Sequence, residues 1–406
     1  MRCPILRIAA GSRLFRPQVP TLTEKVLNCE VAVVGGGPAG STCAESLAQQ
    51  GIDVVLLERY PMPRRKVCAG GLTAAALNLL PEEVQPIIEC RLRTLRVTSL
   101  GGRRVEFGAV STLVVTAYRE QLDWLLWRRA VDAGAMAIDG SRVMAIERNR
   151  TSVLLRGEGF SVVARYLVGA DGANGVVGQG SGFGRSEHVA TGMMVEVPRP
   201  DSAPAGAHEA VELVGGLGDG TFGWVFPRRE TLSIGVEWHQ RRTDIAHALE
   251  RVVAHAGATL PEGTPRLSHP IPSIPHDGKV IDGRVVLIGD AGGMCDPLTG
   301  EGVRNAVLAG RNAADALSNA CRGEDYSLAD YQAWFERELL PELKAGMTLL
   351  GLALRFETPG LLALQHQERA RRACMSLLRG QTSYTSILRG AESFGGLLSL
   401  LMGKCE

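Results

Sequence analysis

Gly35, Gly37 and Gly40 fill the pattern G-x-G-x-x-G, and Glu58 follows near the ~20-residue spacing at which an acid of this fingerprint meets a ribose hydroxyl. Glycines so placed permit a tight turn, close approach of backbone to a pyrophosphate, and close packing of a helix on a strand. Pro38 and Ala39 lie in the same turn, and the helix expected from about Ala39 to Gln50 aims its free N–H groups at the phosphates. The chemistry is binding of a dinucleotide that contains ADP; this stretch alone leaves NAD and FAD open. A second anion site is expected where Gly289-Asp290 closes an apolar run and Pro297-Leu-Thr-Gly300-Glu301-Gly302 leads into a helix at Val303. Asp290 suits a polyol hydroxyl, with a plain N-cap as the alternative. The amides of Gly300 to Val303 suit the N1 and C2 carbonyl of a flavin, where donors and a helix dipole stabilise the anionic reduced ring.

Other candidates lie between. The loop Arg59 to Leu72 is too rich in proline and glycine for a regular element. Its basic residues Arg59, Arg64, Arg65 and Lys66 either face phosphates or form a solvated charge run. Cys68, followed by Ala69, Gly70 and Gly71, either approaches a ring system closely or is a buried small hydrophobe. Arg119 falls in the first turn of a helix, where a cation opposes the dipole, so a nearby carboxylate or phosphate is expected. Asp171-Gly172 ends an apolar strand, as a ligand turn or an ordinary one. Phe222, Trp224 and Phe226 alternate before Pro227, which puts three rings on one strand face, either as a cavity wall or as sheet core.

The elements that must position these residues follow from periodicity. Apolar β-branched runs at Val31 and Val54 flank the glycine turn and its helix, a βαβ start. An amphipathic helix is expected from Thr116 to Gly134, and Val143 to Val168 reads as a β-meander. From Phe183 to Pro275 short alternating runs predict an antiparallel sheet with one helix, Thr243 to Ala256. Beyond Asp325 the chain reads as helical, with apolar faces at Leu349, Leu350, Leu352 and Leu354, and later at Leu397, Leu398, Leu400 and Leu401. The class is α/β. A discontinuous nucleotide-binding domain is expected over 29–85, 116–182 and 276–322, and an antiparallel-sheet substrate domain over 86–115 and 183–275. An extension over 1–28 and a helical region over 323–406 complete the chain.

With 406 residues and 45% hydrophobic content, the chain can bury a large core of two to three domains. A net charge of +1 gives no basic footprint for nucleic acid. The nine cysteines are scattered without metal spacing, which points to a reducing compartment and no metal. No run approaches the ~20 apolar residues of a membrane span. Met1 to Thr23 carries four arginines and no acid, so organellar import competes with a plain extension; the extension and a cytoplasmic location, with peripheral membrane contact left open, are preferred.

Taken together, Gly35-x-Gly37-x-x-Gly40, Asp171-Gly172 and Gly289-Asp290 resemble, in that order, the p-hydroxybenzoate-hydroxylase-like FAD superfamily, and within it the geranylgeranyl reductase family, over most of residues 29 to 320. The resemblance implies that the glycine motif and Glu58 bind the ADP half of FAD and that Gly289-Asp290 binds the ribityl chain. It also implies that Arg119 contacts FAD and that Asp171-Gly172 touches both FAD and the nicotinamide donor, NADPH. Lys66-Val67-Cys68-Ala69-Gly70-Gly71 is similar to the reductases' Lys-x-Cys-Gly-Gly-Gly segment, with Ala69 replacing a glycine. The Phe222 to Pro227 strand resembles their Tyr-x-Trp-x-Phe-Pro motif, followed by Gly-x-Gly, which lines a prenyl cavity. Here Phe222 replaces the tyrosine and Glu237 the second glycine, while Gly175 stands where many relatives carry serine.

The implied activity is saturation of C=C bonds in a geranylgeranyl-type chain, on a prenylated lipid, quinone, chlorophyll precursor or prenyl diphosphate. Hydride delivery to an unactivated alkene needs a coupled proton, and Cys68 is the sequence's candidate donor, ordered water the alternative. A flavin monooxygenase acting on an apolar or aromatic substrate is the rival reading, and a non-catalytic flavin or lipid carrier a third.

Overall fold

The computed structural model describes residues 25–200, 209–218, 220–239, 244–323 and 328–393. Its first sheet has eight strands. Lys25–Val34 lies inside it, parallel to Val54–Leu57 on one side and Phe160–Gly169 on the other. Met136–Ile138 and Val285–Leu287 extend the parallel order outwards. Both faces are covered, which is why these strands are continuous apolar runs. Val31, Val33, Val54 and Leu56 pack on the helices Pro38–Gln49 and Val303–Arg322. Ala32, Val34, Val55 and Leu57 pack on the meander strands Val143–Arg148, Val153–Gly157 and Phe160–Gly169.

The second sheet has seven strands in the order 267–273, 188–198, 231–238, 221–227, 210–215, 94–99 and 104–108. Neighbours are antiparallel except Thr94–Ser99 with Ala210–Gly215, which run parallel. Alternation separates its two faces. Val195, Val225, Ile234 and Val236 pack on the helix Ile245–His255, within the span expected from the sequence. The opposite face carries Phe222, Trp224 and Phe226 towards the first domain.

One expectation is corrected by the strand pairing. The stretch 86–115 does not belong wholly to the large sheet: Ile88–Leu92 and Val114–Ala117 form a small separate sheet with Gly71–Thr73. Alternation identifies strands but not their partners, and only residues 94–108 cross to the second sheet. Downstream, Ala329–Arg355 bends by 98° into Glu357–His366, followed by Glu368–Leu378 and Tyr384–Ser393. Leu350 is buried and Leu349, Leu352 and Leu354 are half-buried, so this face packs on the body. Leu397 to Leu401 and the N-terminal segment Met1 to Thr23 lie outside the described residues. Among those described, no single helix is long and apolar enough to cross a membrane, although the bent pair passes by length and composition alone.

Candidate active site

A cavity of about 420 Å³ is lined by residues of both large sheets and of the loop 58–71. At one end lies the glycine turn. Gly35 adopts φ +113°, and a Cβ there would lie 2.2 Å from the Ala170 carbonyl oxygen. A Cβ on Gly40 would lie 1.9 Å from the Gly35 carbonyl oxygen, so Gly40 brings the helix against the turn and does not itself line the cavity. Gly37, Pro38 and Ala39 do line it, at the N-terminus of the helix. The Glu58 carboxylate accepts from Gly36 N at 2.9 Å and Tyr60 N at 3.1 Å, and pairs with Arg64 Nε at 3.0 Å. A carboxylate accepts about four bonds, so acceptor capacity remains for a hydroxyl.

The basic loop is divided among partners rather than solvated as a run. Arg64 joins Glu58 to Asp123, which is fully buried and accepts from Arg64 Nη1 at 3.1 Å. The anion expected beside Arg119 is this same carboxylate, one helical turn on, held at 2.8 Å and 3.0 Å. Burial opposes the charge on Arg119, but Asp123 and the neighbouring Cys68 outweigh it and keep the guanidinium protonated. Arg65 is exposed and reaches Glu196. Lys66 Nζ lies 2.5 Å from His269 Nε2, and His269 lies 4.0 Å from Asp290. Burial, then the Lys66 charge, depress the His269 pKa to about 4, while burial lowers that of Lys66. Arg59, Cys68, Ala69 and Gly70 border the cavity, and Cys68 Sγ accepts from Gly70 N at 3.4 Å.

Asp171 and Gly172 also line it. One Asp171 oxygen accepts from Val177 N at 3.0 Å; the other is buried with no partner among the described residues. Burial raises its pKa. A Cβ on Gly175 would lie 2.1 Å from that unpaired oxygen, so here the Asp171 carboxylate occupies the space a serine would need. Across the cavity, Gly289 turns at φ +60° against Ala39, and a Cβ on Gly302 would lie 3.1 Å from Asp290 Oδ1. Asp290 therefore sits inside the wall with Gly300, Glu301, Gly302 and Val303, and is not a helix cap. Burial pushes Glu301 up to about 7, against a hydrogen bond from Thr73 N. Asp296 anchors the loop by accepting from Leu298 N, Thr299 N and, at 2.7 Å, the Tyr384 hydroxyl.

Besides Gly40, two expected residues fall outside the lining. Pro297 packs towards Gly346 of the helix Leu340–Arg355, and the Pro227 carbonyl accepts from Thr116 Oγ1 at 2.7 Å behind the wall. Phe222, Trp224 and Phe226 line the cavity on the sheet side, joined by Met194, Leu213 and Ile271. The Trp224 indole lies where a Cβ on Gly235 would come within 2.1 Å of its ring, and its Nε1 donates to Ser233 Oγ at 3.3 Å. Asp123 and His269 escaped sequence reasoning. The first reads as an ordinary surface acid of an amphipathic helix, and no motif marks the second.

An elongated site with a helix N-terminus and open Gly37 at one end, an unpaired Asp171 oxygen midway and the Gly289–Val303 turn opposite fits FAD at both halves. A family model of the FAD binding domain matches residues 28–334. The chloroplastic geranylgeranyl diphosphate reductase of Oryza sativa subsp. japonica is 32% identical, covering 77% of this chain and 73% of its own. The chain belongs to the geranylgeranyl reductase family of FAD-dependent oxidoreductases. The digeranylgeranylglycerophospholipid reductase of Methanocella arvoryzae is 29% identical over 73% of this chain and 79% of its own. A geranylgeranyl bacteriochlorophyll reductase-like protein from Thermoplasma acidophilum superposes with a TM-score of 0.76 at 18% identity, covering 91% of this chain and 99% of that one. The flavin-dependent brominase Bmp2 gives 0.70 at 18% identity, covering 90% and 99%. At such identities these structures share the fold alone. For a member of the reductase family, the geometry locates each departure: Ala69 in the cavity loop, Phe222 and Glu237 side by side on the wall.

Proposed function

We propose that the protein saturates C=C bonds of a geranylgeranyl-type isoprenoid chain with electrons delivered by NADPH or another reductant. The observation that carries this reading is the aromatic wall Phe222–Trp224–Phe226, which lines the same cavity as the Gly300–Val303 turn. Reduced FAD would supply the hydride. Around it, Gly37, Asp171 and Asp290 would hold the cofactor, and the N–H groups at the start of the Val303 helix would stabilise negative charge on its ring. The wall excludes water and lays the chain flat, since a C=C bond offers nothing to hydrogen-bond. Cys68 on the loop side and Glu237 on the sheet side both border this space.

The test is anaerobic incubation of the reduced protein with geranylgeranyl diphosphate, a geranylgeranyl ether phospholipid, a geranylgeranylated chlorophyll precursor and menaquinone, followed by mass analysis. A gain of two hydrogens per reduced bond is expected. Gain of one oxygen under air would make the protein a monooxygenase instead, and no change with any substrate would refute the reductase reading.

A further inference from the structure

The register of the second sheet places Phe222, Glu237, Gly192 and His269 in one row across four adjacent strands. All four line the cavity. Strands lie about 4.8 Å apart, so Glu237 stands beside the aromatic wall and is separated from His269 only by a glycine that leaves a slot. Glu237 is 3% exposed, and its Oε1 has no hydrogen-bond partner among the described residues. The His239 Nε2 atom lies 3.3 Å from that oxygen, too poorly aligned for a hydrogen bond, and is likewise buried and unpaired; the Phe222 ring stacks on its imidazole at 6.1 Å. A Cβ on Gly300 would come within 2.7 Å of Glu237 Oε2, which sets the carboxyl group against the turn that faces the cofactor ring. An unpaired carboxyl in a dry site is costly unless a bound group or a reaction uses it.

Cys68 is differently placed. Its sulfur accepts from the Gly70 N–H at 3.4 Å and neighbours the Arg119 guanidinium. Glu58, Asp171, Asp290 and Glu301 are committed to the cofactor loops.

We propose that Glu237 is a catalytic residue, the acid that protonates the alkene, with His239 as its route to solvent; this rests on the reductase reading above. The Glu237 O–H bond breaks as a C–H bond forms at the less substituted carbon. Hydride from the reduced flavin forms the second C–H bond at the other carbon, so the alkene is reduced by two electrons and the flavin oxidised. The carboxylate left behind regains a proton from water through the His239 imidazole.

Single-turnover reoxidation of the reduced protein by geranylgeranyl diphosphate tests this. E237Q is expected to keep its FAD content and its affinity for a saturated phytanyl chain, yet to reoxidise about 100-fold more slowly, the scale of a lost general acid. Reoxidation of E237Q at the wild-type rate overturns the assignment, and a matching loss in C68A alone returns the role to Cys68. Should E237Q not hold FAD, E237G restores the residue of the family pattern, and wild-type turnover by E237G likewise overturns it. Failure of the wild-type protein to react with any chain of the panel refutes the reductase reading itself.

Discussion

At the scale of single residues, two side chains pull stability in opposite directions with pH. Glu301 has a folded pKa of about 7, raised by burial above its unfolded value near 4.5. The folded state then binds more protons than the unfolded state between these values, so stability falls as pH rises from about 4.5 to 7. His269, depressed to about 4 by burial and by Lys66, does the reverse. The unfolded chain binds its proton first, so stability rises with pH from about 4 to 6.5. The two slopes oppose each other in the wild-type apoprotein. Thermal melts from pH 4 to 8 are expected to show a steeper rise in Tm with pH for E301Q, and a net fall for H269N. Parallel curves for all three proteins would refute the assigned environments. The glycine motif and Glu58 were legible at this scale because each of those positions answers to one steric or hydrogen-bonding demand. His269 was not, because its role depends on Lys66 reaching it from a distant loop.

Between elements, the loop 58–71 is tied to the helix Arg119–Asp132 by Asp123, which carries two guanidinium groups on one buried carboxylate. Removing a buried partner leaves uncompensated charge, so D123A is expected to destabilise by about 3–5 kcal/mol. It should also loosen the loop that carries Cys68, which limited proteolysis would reveal as new cleavage between Arg59 and Lys66. D123A with wild-type urea midpoint and digestion pattern would show that the two arginines find other partners. Periodicity foretold both the helix and the loop; their bond was hidden because an acid four residues after an arginine reads equally well as a surface pair. Strand existence was legible in the same way, whereas the small sheet made by Gly71–Thr73, Ile88–Leu92 and Val114–Ala117 was not, since alternation carries no record of partner.

For the molecule as a whole, the family resemblance and the ordered glycine and Gly-Asp motifs made the α/β architecture readable, because each motif sits where a strand of the first sheet ends. The chain crosses between the domains repeatedly. Lys25–Val34 pairs with Phe160–Gly169, that strand with Val285–Leu287, and Thr94–Ser99 with Ala210–Gly215, each joining residues far apart in sequence. During synthesis the first strand emerges long before its inner neighbour exists, and neither large sheet closes until the second half of the chain has been made. Loop closure must precede the contacts that reward it, so folding of this topology is slow and leaves strand edges open meanwhile. Refolding from urea is expected to take seconds or longer, with aggregation that grows with protein concentration. FAD, which Gly37 and Asp290 would hold from either end, should raise the yield by binding only the closed form. Millisecond refolding at full yield without cofactor would contradict this. The cofactor is thus expected to serve a newly made chain first as the clasp that closes its two ends.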